Sequence, residues 1–345
     1  MGYEGIDPSV LSRVLNGKRL LSLNQLDVLA DILGLYSAEK ELLIERLSYE
    51  ICERYGLLNF LEHEKLKIFM QSVEVEIDNA RKVRNAGIPG LALEWSDFIY
   101  ERIHQEAGSV RLQQDRWNYL RLLSEIIIER LRVILEICPK EKVFLPTSRL
   151  CKELKSIGKE LQDSRIIGIS YSMLTNMFHV LSRHQDVLAT YSKNLRFIED
   201  ERYDQIISLR AAALSYAYSK DKLRFKEIRD KLLKLKKTCD LSLQLQLFIL
   251  EGIIRGEGVL GNSLEAHRMS ETASDVCYKM EKSRDDLWIH RKIQLISAEA
   301  EIANMLNGGD KTFIEKRGKE GIYLAQQFGY IKYIDRIKNH LNAFL

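Results

Sequence analysis

The chain has 345 residues, which at about 150 residues per domain predicts roughly two domains. Four prolines, 19 glycines, 46% hydrophobic and 29% charged residues exclude a collagen-like or disordered chain, and a β-sandwich with its frequent turns. Lys+Arg 52 against Asp+Glu 49 leaves a formal charge of +3, so the chain is no polybasic coat for nucleic acid, although a local basic surface is compatible with that balance.

Residues 1–36 read as a small head. Asp7-Pro8 predicts a helix start, because Asp caps free N–H groups and Pro suits the first helical position. Leu11, Val14 and Leu15 form an inward stripe, and Asn16-Gly17 supplies the stop. Ser22-Leu23-Asn24-Gln25 is a capping-box start for a second helix, with Leu26, Leu29, Ile32 and Leu33 inward and Gly34 closing it. The outward face of the first helix carries Ser9, Ser12, Arg13 and Asn16, with Lys18 and Arg19 just beyond. Short polar side chains with Arg and Asn can read base edges in a major groove, and the two cations can neutralise phosphates. Taken alone, such a face is more often ordinary solvated surface.

Residues 37–58 are expected to form a linker helix, and 59–345 a helical array. Nearly every segment there has a 3.6-residue period: Ile207, Ala211, Leu214 and Tyr218 share one face, as do Ile293, Ile296, Ala300 and Met305 with one slip. The alternation Val73 to Ile77 sits inside a longer helical pattern. Breaks are expected at Ala86 to Gly90, Cys138 to Thr147, Gly256 to Gly261 and Asn307 to Gly309. The fold class is therefore all-α. From about Asp163 the helices come in pairs, with first members near Arg165, Arg202, Asp240, Asp285 and Gly329. A period of about 34–47 residues with two helices per unit marks a TPR-like α-solenoid, with an irregular helical bundle as the alternative.

Several patterns carry no chemistry. Gly256 to Gly261 spells GxGxxG, but a helical pattern precedes it where a dinucleotide site needs a strand; it reads as a loop. His63-Glu64 has Lys67 where a zincin needs its second histidine. The five cysteines, Cys52, Cys138, Cys151, Cys239 and Cys277, are scattered singly, which fits a reducing cytoplasm and neither CxxC redox chemistry nor a zinc knuckle. No stretch is apolar enough to span a membrane. Asp221 to Lys237 has eight basic residues against three acidic, with Leu223, Phe225, Ile228, Leu232 and Leu233 as a buried stripe behind a solvated basic face. In the last helix Tyr330, Ile334, Ile337, Leu341 and Phe344 are spaced 4-3-4-3: a seam for a second protomer, or for the previous repeat. No constellation of catalytic residues stands out, so no enzyme is expected.

The run from Pro8 to Arg19, followed by Leu26 to Leu35, resembles the recognition helix and following helix of the Cro/C1-type (XRE) helix-turn-helix. Two helices normally precede that recognition helix and six residues precede Asp7, so the resemblance predicts a reduced head or one starting about two helices late. A short XRE-like head joined to a TPR-like array is similar in layout to the peptide-sensing (RRNPP) regulators of Gram-positive bacteria and their phages, the phage arbitrium receptors being nearest. The resemblance implies a cytoplasmic homodimer without a cofactor. It implies binding to a double-stranded DNA operator under the control of a short secreted oligopeptide on the concave repeat surface. On that reading the peptide would be gripped by Asn176, His179, Arg210, Tyr216, Gln244, Gln246 and Asn304, since amides can pair with both the N–H and the C=O of an extended chain. A repeat scaffold that sequesters a protein partner, with a vestigial head, is the alternative.

Overall fold

The computed structural model describes residues 8–16, 18, 21, 23–54, 58–110, 113–197, 202–283, 285, 287–302 and 311–344. Among them the regular structure is sixteen α-helices and one short 3-10 turn, with no strand, as the periodicity predicts. The helices are α1 (Pro8–Leu15), α2 (Leu23–Ile32), α3 (Ser37–Arg54), α4 (Leu58–Asn85), α5 (Pro89–Gln105), α6 (Gln113–Ile137) and α7 (Lys140–Glu160). Pairs follow: α8 (Ser164–Val180) with α9 (His184–Asn194), α10 (Arg202–Tyr218) with α11 (Lys222–Thr238), α12 (Leu243–Leu260) with α13 (Ser263–Lys282), and α14 (Trp288–Glu301) with α15 (Lys311–Gln327). A final helix, α16 (Ile331–Phe344), ends the array. The first members begin within three residues of their expected positions.

The repeat phase has a local cause. Asp163 accepts from the backbone of Arg165 and Ile166, Asp221 from Arg224, and Ser242 from Leu245, so α8, α11 and α12 each begin at a side-chain cap. Several of the helix–helix turns contain a left-handed residue, among them Gln162, Ser182, Lys220 and Gly261, with φ between 54° and 82°. A left-handed residue stops the helix and turns the chain back on itself within two or three positions.

The chain folds into two compact units: Met1–Ser72 with Glu106–Arg116, and Val73–Gln105 with Trp117–Leu345. The division falls within α4. In the first unit, Leu21, Leu26 and Leu47 make a small core, with Val14, Leu29, Leu43 and Ile44 packed on it. Leu47, Leu43 and Ile44 belong to α3, so the expected linker helix helps to build the head's core. Lys40 on α3 pairs with Asp27 and Asp31 on α2, at 3.1 and 3.7 Å. Ile32 and Leu33, expected inward, are 59% and 60% exposed. They lie at the C-terminal end of α2, where periodicity continues but no described element covers it.

In the second unit, α10 and α12 are buried almost all round. Ile207, Ala211 and Leu214 lie in the core, as do Ile293, Ile296 and Ala300, while Met305 falls outside the described residues. Two expected breaks are shorter than expected. α7 begins at Lys140 and carries Pro146 inside it, so the gap is confined to Cys138 and Pro139. α12 runs through Gly256 and Gly258 to Leu260, with Gly261 (φ 82°) as its left-handed cap. Those glycines are there for close packing: a Cβ on Gly256 would sit 2.2 Å from Phe225, and one on Gly258 2.0 Å from Ile302. In α11, Phe225, Ile228 and Leu232 are buried, whereas Leu223 is 71% exposed because it lies on the opposite face of the helix.

Candidate functional site

The first members of the pairs, α8, α10, α12 and α14, line a cavity of about 830 Å³, and α16, the α6–α7 junction and the α8–α9 turn with His184 supply the rest of the lining. Lys332 Nζ donates to Leu135 O, tying α16 to α6 across the array. First helices supply most of the lining, as a repeat stack dictates, and His184 at the start of α9 joins them.

One side of the cavity is built on an ion network. Arg210 Nε donates to Glu251 at 2.9 Å, Arg255 bridges Glu251 and Glu301, and Arg336 reaches Glu301 at 3.0 Å. Tyr218 OH also donates to Glu301, and Ser297 Oγ accepts from Arg255 at 3.2 Å. Burial alone would raise the Glu251 carboxyl, but Arg210 and Arg255 outweigh it and hold it down at about 2. The same contest, won by Arg255 and Arg336, leaves Glu301 below the usual carboxylate range. Above that range each carboxylate is charged and matched by guanidinium groups, the condition under which buried ions are tolerated. Arg210 and Arg291 also flank Phe248, 4.3 and 4.9 Å from its ring centre.

Four histidines line the cavity: His179, His184, His290 and His340. Burial, then Arg210, keeps His179 well below the ordinary imidazole value, and burial with Arg291 and Lys332 does the same to His290. Burial also lowers His184 and His340. All four rings are therefore neutral at neutral pH. His184 stacks on Tyr218 at 4.7 Å and meets the fully buried Ser215 Oγ at 3.3 Å.

The tautomer of His290 follows from its neighbours. Arg291, a donor only, gives a hydrogen bond to Gln294 Oε1 at 2.6 Å, which fixes the orientation of that amide. Gln294 Nε2 then donates to His290 Nε2 at 3.1 Å and to Tyr333 OH at 2.9 Å. With Nε2 accepting, the neutral ring carries its proton on Nδ1. That atom is buried without a hydrogen-bond partner, as is Glu136 Oε2.

The sequence-predicted residues divide clearly. Asn176, His179 and Arg210 line the cavity together. Tyr216 does not; its ring lies under the Arg224 guanidinium, 5.6 Å away. Gln244 is absorbed by Asp285 Oδ1 at 2.7 Å and Gln246 by Leu241 O at 2.8 Å, ordinary hydrogen bonds outside the cavity. Asn304 and Arg19 lie outside the described residues. Ser9, Ser12, Arg13, Asn16 and Lys18 are exposed, and Asn16 Nδ2 donates to Ser12 O at 2.7 Å. The α16 seam is buried within the chain: Tyr330, Ile337 and Leu341 pack with Ile293, Ile296, Ala300 and Ile314, and Ile334 lies against that core. The dimer seam expected there is thus filled by α14 and α15; the Phe344 side chain is outside the described part. The spacing could not distinguish these partners, because both need the same apolar stripe.

Sequence reasoning passed over Glu251, Glu301, Arg336, His290 and Gln294. One signal was present: Glu251 and Arg255, four apart inside an otherwise apolar helix, are a pair that burial must match. Among the described residues no group of three or more His, Cys, Asp or Glu could hold a metal, and no helix is long and apolar enough to cross a membrane. No family model, curated protein or solved structure matches the chain.

Proposed function

We propose that the chain is a DNA-binding transcriptional regulator whose grip on an operator is set by a short oligopeptide. The setting would be cytoplasmic, in quorum sensing or in a phage's choice between lysis and lysogeny, as the likeness to the arbitrium receptors suggests. The cavity carries this reading: Asn176, His179 and Arg210 converge on one chamber of about 830 Å³ among the first helices of the repeats. Chambers of about 300–1,000 Å³ enclose ligands well beyond fragment size, so several residues of an extended peptide fit. The lining offers amides and neutral imidazoles, which both give and accept hydrogen bonds, as a peptide backbone requires. Two of its carboxylates, Glu251 and Glu301, are already matched by arginines, which takes them out of acid–base catalysis. The free thiols of Cys138, Cys151, Cys239 and Cys277 accord with a reducing compartment.

On the DNA side, the exposed Ser9, Ser12, Arg13 and Asn16 of the head supply groups able to meet base edges, and Lys18 a phosphate contact. A homodimer belongs to the proposal, because two half-sites multiply the modest affinity of one small head; its contact surface is not the α16 seam. The peptide would favour one pitch of the repeats, and so one spacing of the heads. The test is selection of duplexes from a randomised pool by the immobilised full chain, followed by anisotropy titrations with and without a synthetic oligopeptide mixture. The expected result is a shared motif whose affinity the mixture shifts at least about tenfold. Retention of no duplex, or an affinity the mixture leaves unchanged, refutes it.

A further inference from the structure

The inner wall of the cavity carries more cations than carboxylates. Arg210, Arg255 and Arg336 share Glu251 and Glu301, and Glu136 is taken by Arg84. The other lining carboxylates, Glu141 and Asp335, are exposed to solvent. Arg291 on α14 and Lys332 on α16 are left without a carboxylate partner among the described residues. Lys332 is half-buried and gives a hydrogen bond to Leu135 O. Arg291 is only 6% exposed. A cation so far from water is costly unless an anion meets it.

The guanidinium of Arg291 is held at the cavity by its neighbours. Its Cζ lies 4.9 Å from the Phe248 ring centre. Nη1 donates to Gln294 Oε1 at 2.6 Å, and Gln294 is in turn anchored on Tyr333 OH at 2.9 Å. Phe248, Gln294 and Tyr333 line the cavity, as Arg291 does. Nε is sealed within the protein. Nη2 is neither sealed nor bonded to a described residue, so it is the nitrogen a ligand can reach.

We propose that Arg291 holds a carboxylate of the bound peptide through Nη2: the side chain of an aspartate or glutamate, or a free C-terminus. This rests on the reading of the cavity as a peptide site. A carboxylate oxygen accepts from Nη2–H and neutralises the guanidinium, a charge-assisted contact that strengthens as water is displaced. An ammonium group would meet like charge. A neutral amide oxygen accepts the same hydrogen bond but leaves the cation unmatched. Lys332 Nζ, 5.0 Å from the Tyr333 ring centre, adds a second positive charge from α16. Because nothing in the chain matches the Arg291 charge, it contributes to binding and not to the fold, the reverse of Arg255.

The test is the retention of three pools of randomised hexapeptides by the immobilised full chain, read by mass spectrometry. The first pool is amidated and lacks aspartate and glutamate, so it has no carboxylate. The second is amidated and contains both acids; the third lacks them but ends in a free carboxylate. The proposal predicts that the second or the third is enriched over the first by at least about tenfold, and whichever it is identifies the source of the carboxylate. Arg291→Met keeps an apolar stem against Phe248 and should abolish that preference, whereas Arg291→Lys should retain part of it. The melting temperature of ligand-free Arg291→Met should be no lower than the parent's, since the substitution removes an unmatched buried charge. A clear fall would show that the chain itself uses the charge, and overturns the proposal. Equal retention of all three pools, or a preference unchanged in Arg291→Met, also overturns it while leaving the cavity a peptide site. If no pool is retained, the peptide reading of the cavity falls as well.

Discussion

Arg255 offers the sharpest test of how the cavity wall is held. It is 1% exposed and bridges Glu251 and Glu301 while donating to Ser297. In Arg255→Met a thioether replaces the cation, leaving Glu251 to Arg210 and Glu301 to Arg336 and Tyr218. Holding Glu251 at about 2 and not at its ordinary 4.5 corresponds to roughly 3 kcal/mol at neutral pH. Breaking a buried ion pair on one side costs about 3–5 kcal/mol, so the variant should lose that much. The sign of the pH dependence is fixed: a depressed carboxylate contributes fully above its unfolded value and loses its contribution as pH falls through its folded one. The penalty should therefore shrink from about pH 4.5 towards about pH 2, because protonation removes from the parent what the substitution removes from the variant. Urea unfolding followed by circular dichroism, at neutral pH and near the bottom of that window, measures it. A loss below about 1 kcal/mol at neutral pH, or the same loss at both, would show that the network does not hold the wall.

Three further outcomes follow from the packing and the head. Gly256→Ala places a Cβ 2.2 Å from the buried Phe225 ring and should cost about 1–3 kcal/mol by denaturation; a neutral result would mean that α11 and α12 do not pack this closely. Ile337→Ala empties a core position between α14, α15 and α16 and should cost about 2–5 kcal/mol. Its unfolding midpoint should not move with protein concentration, and a midpoint that does would restore the seam to a dimer interface. Arg13→Ala should weaken a selected operator by about 1–3 kcal/mol in gel shift if it meets a base; unchanged affinity removes it from the contact surface.

The repeat phase was legible because its punctuation is local. Asp163, Asp221 and Ser242 cap helices by reaching two or three residues ahead, and a single sequence displays that reach. Gly256 and Gly258 misled for a related reason: glycine marks either a turn or a close approach, and only Phe225 and Ile302, distant in sequence, decide which. Ile32 and Leu33 have the periodicity of core residues, but burial needs a covering element, which periodicity does not supply. The candidate site was legible only in part. Asn176, His179 and Arg210 lie on first helices of repeats, as do Tyr216, Gln244 and Gln246 outside the cavity, so the pairing narrows the candidates without choosing among them. The ion network joins residues 41 and 46 apart, and Glu136 and His290 come within 4.0 Å of each other only where α6 meets α14. Gln244 and Gln246 were equally plausible amides, yet each is absorbed by a nearby oxygen.

The central claim, that a peptide in the repeat cavity governs DNA binding by the head, is tested most directly with Asn176→Ala. Asn176 is half-buried in the cavity lining, so trimming it should change ligand contacts while sparing the core. The measurement is the anisotropy of a duplex selected by the full chain, titrated in parallel for parent and variant, with and without the oligopeptide mixture. The account predicts equal DNA affinity without peptide, and a peptide response of at least about tenfold in the parent that the variant largely loses. A response of the same size in both proteins would contradict it.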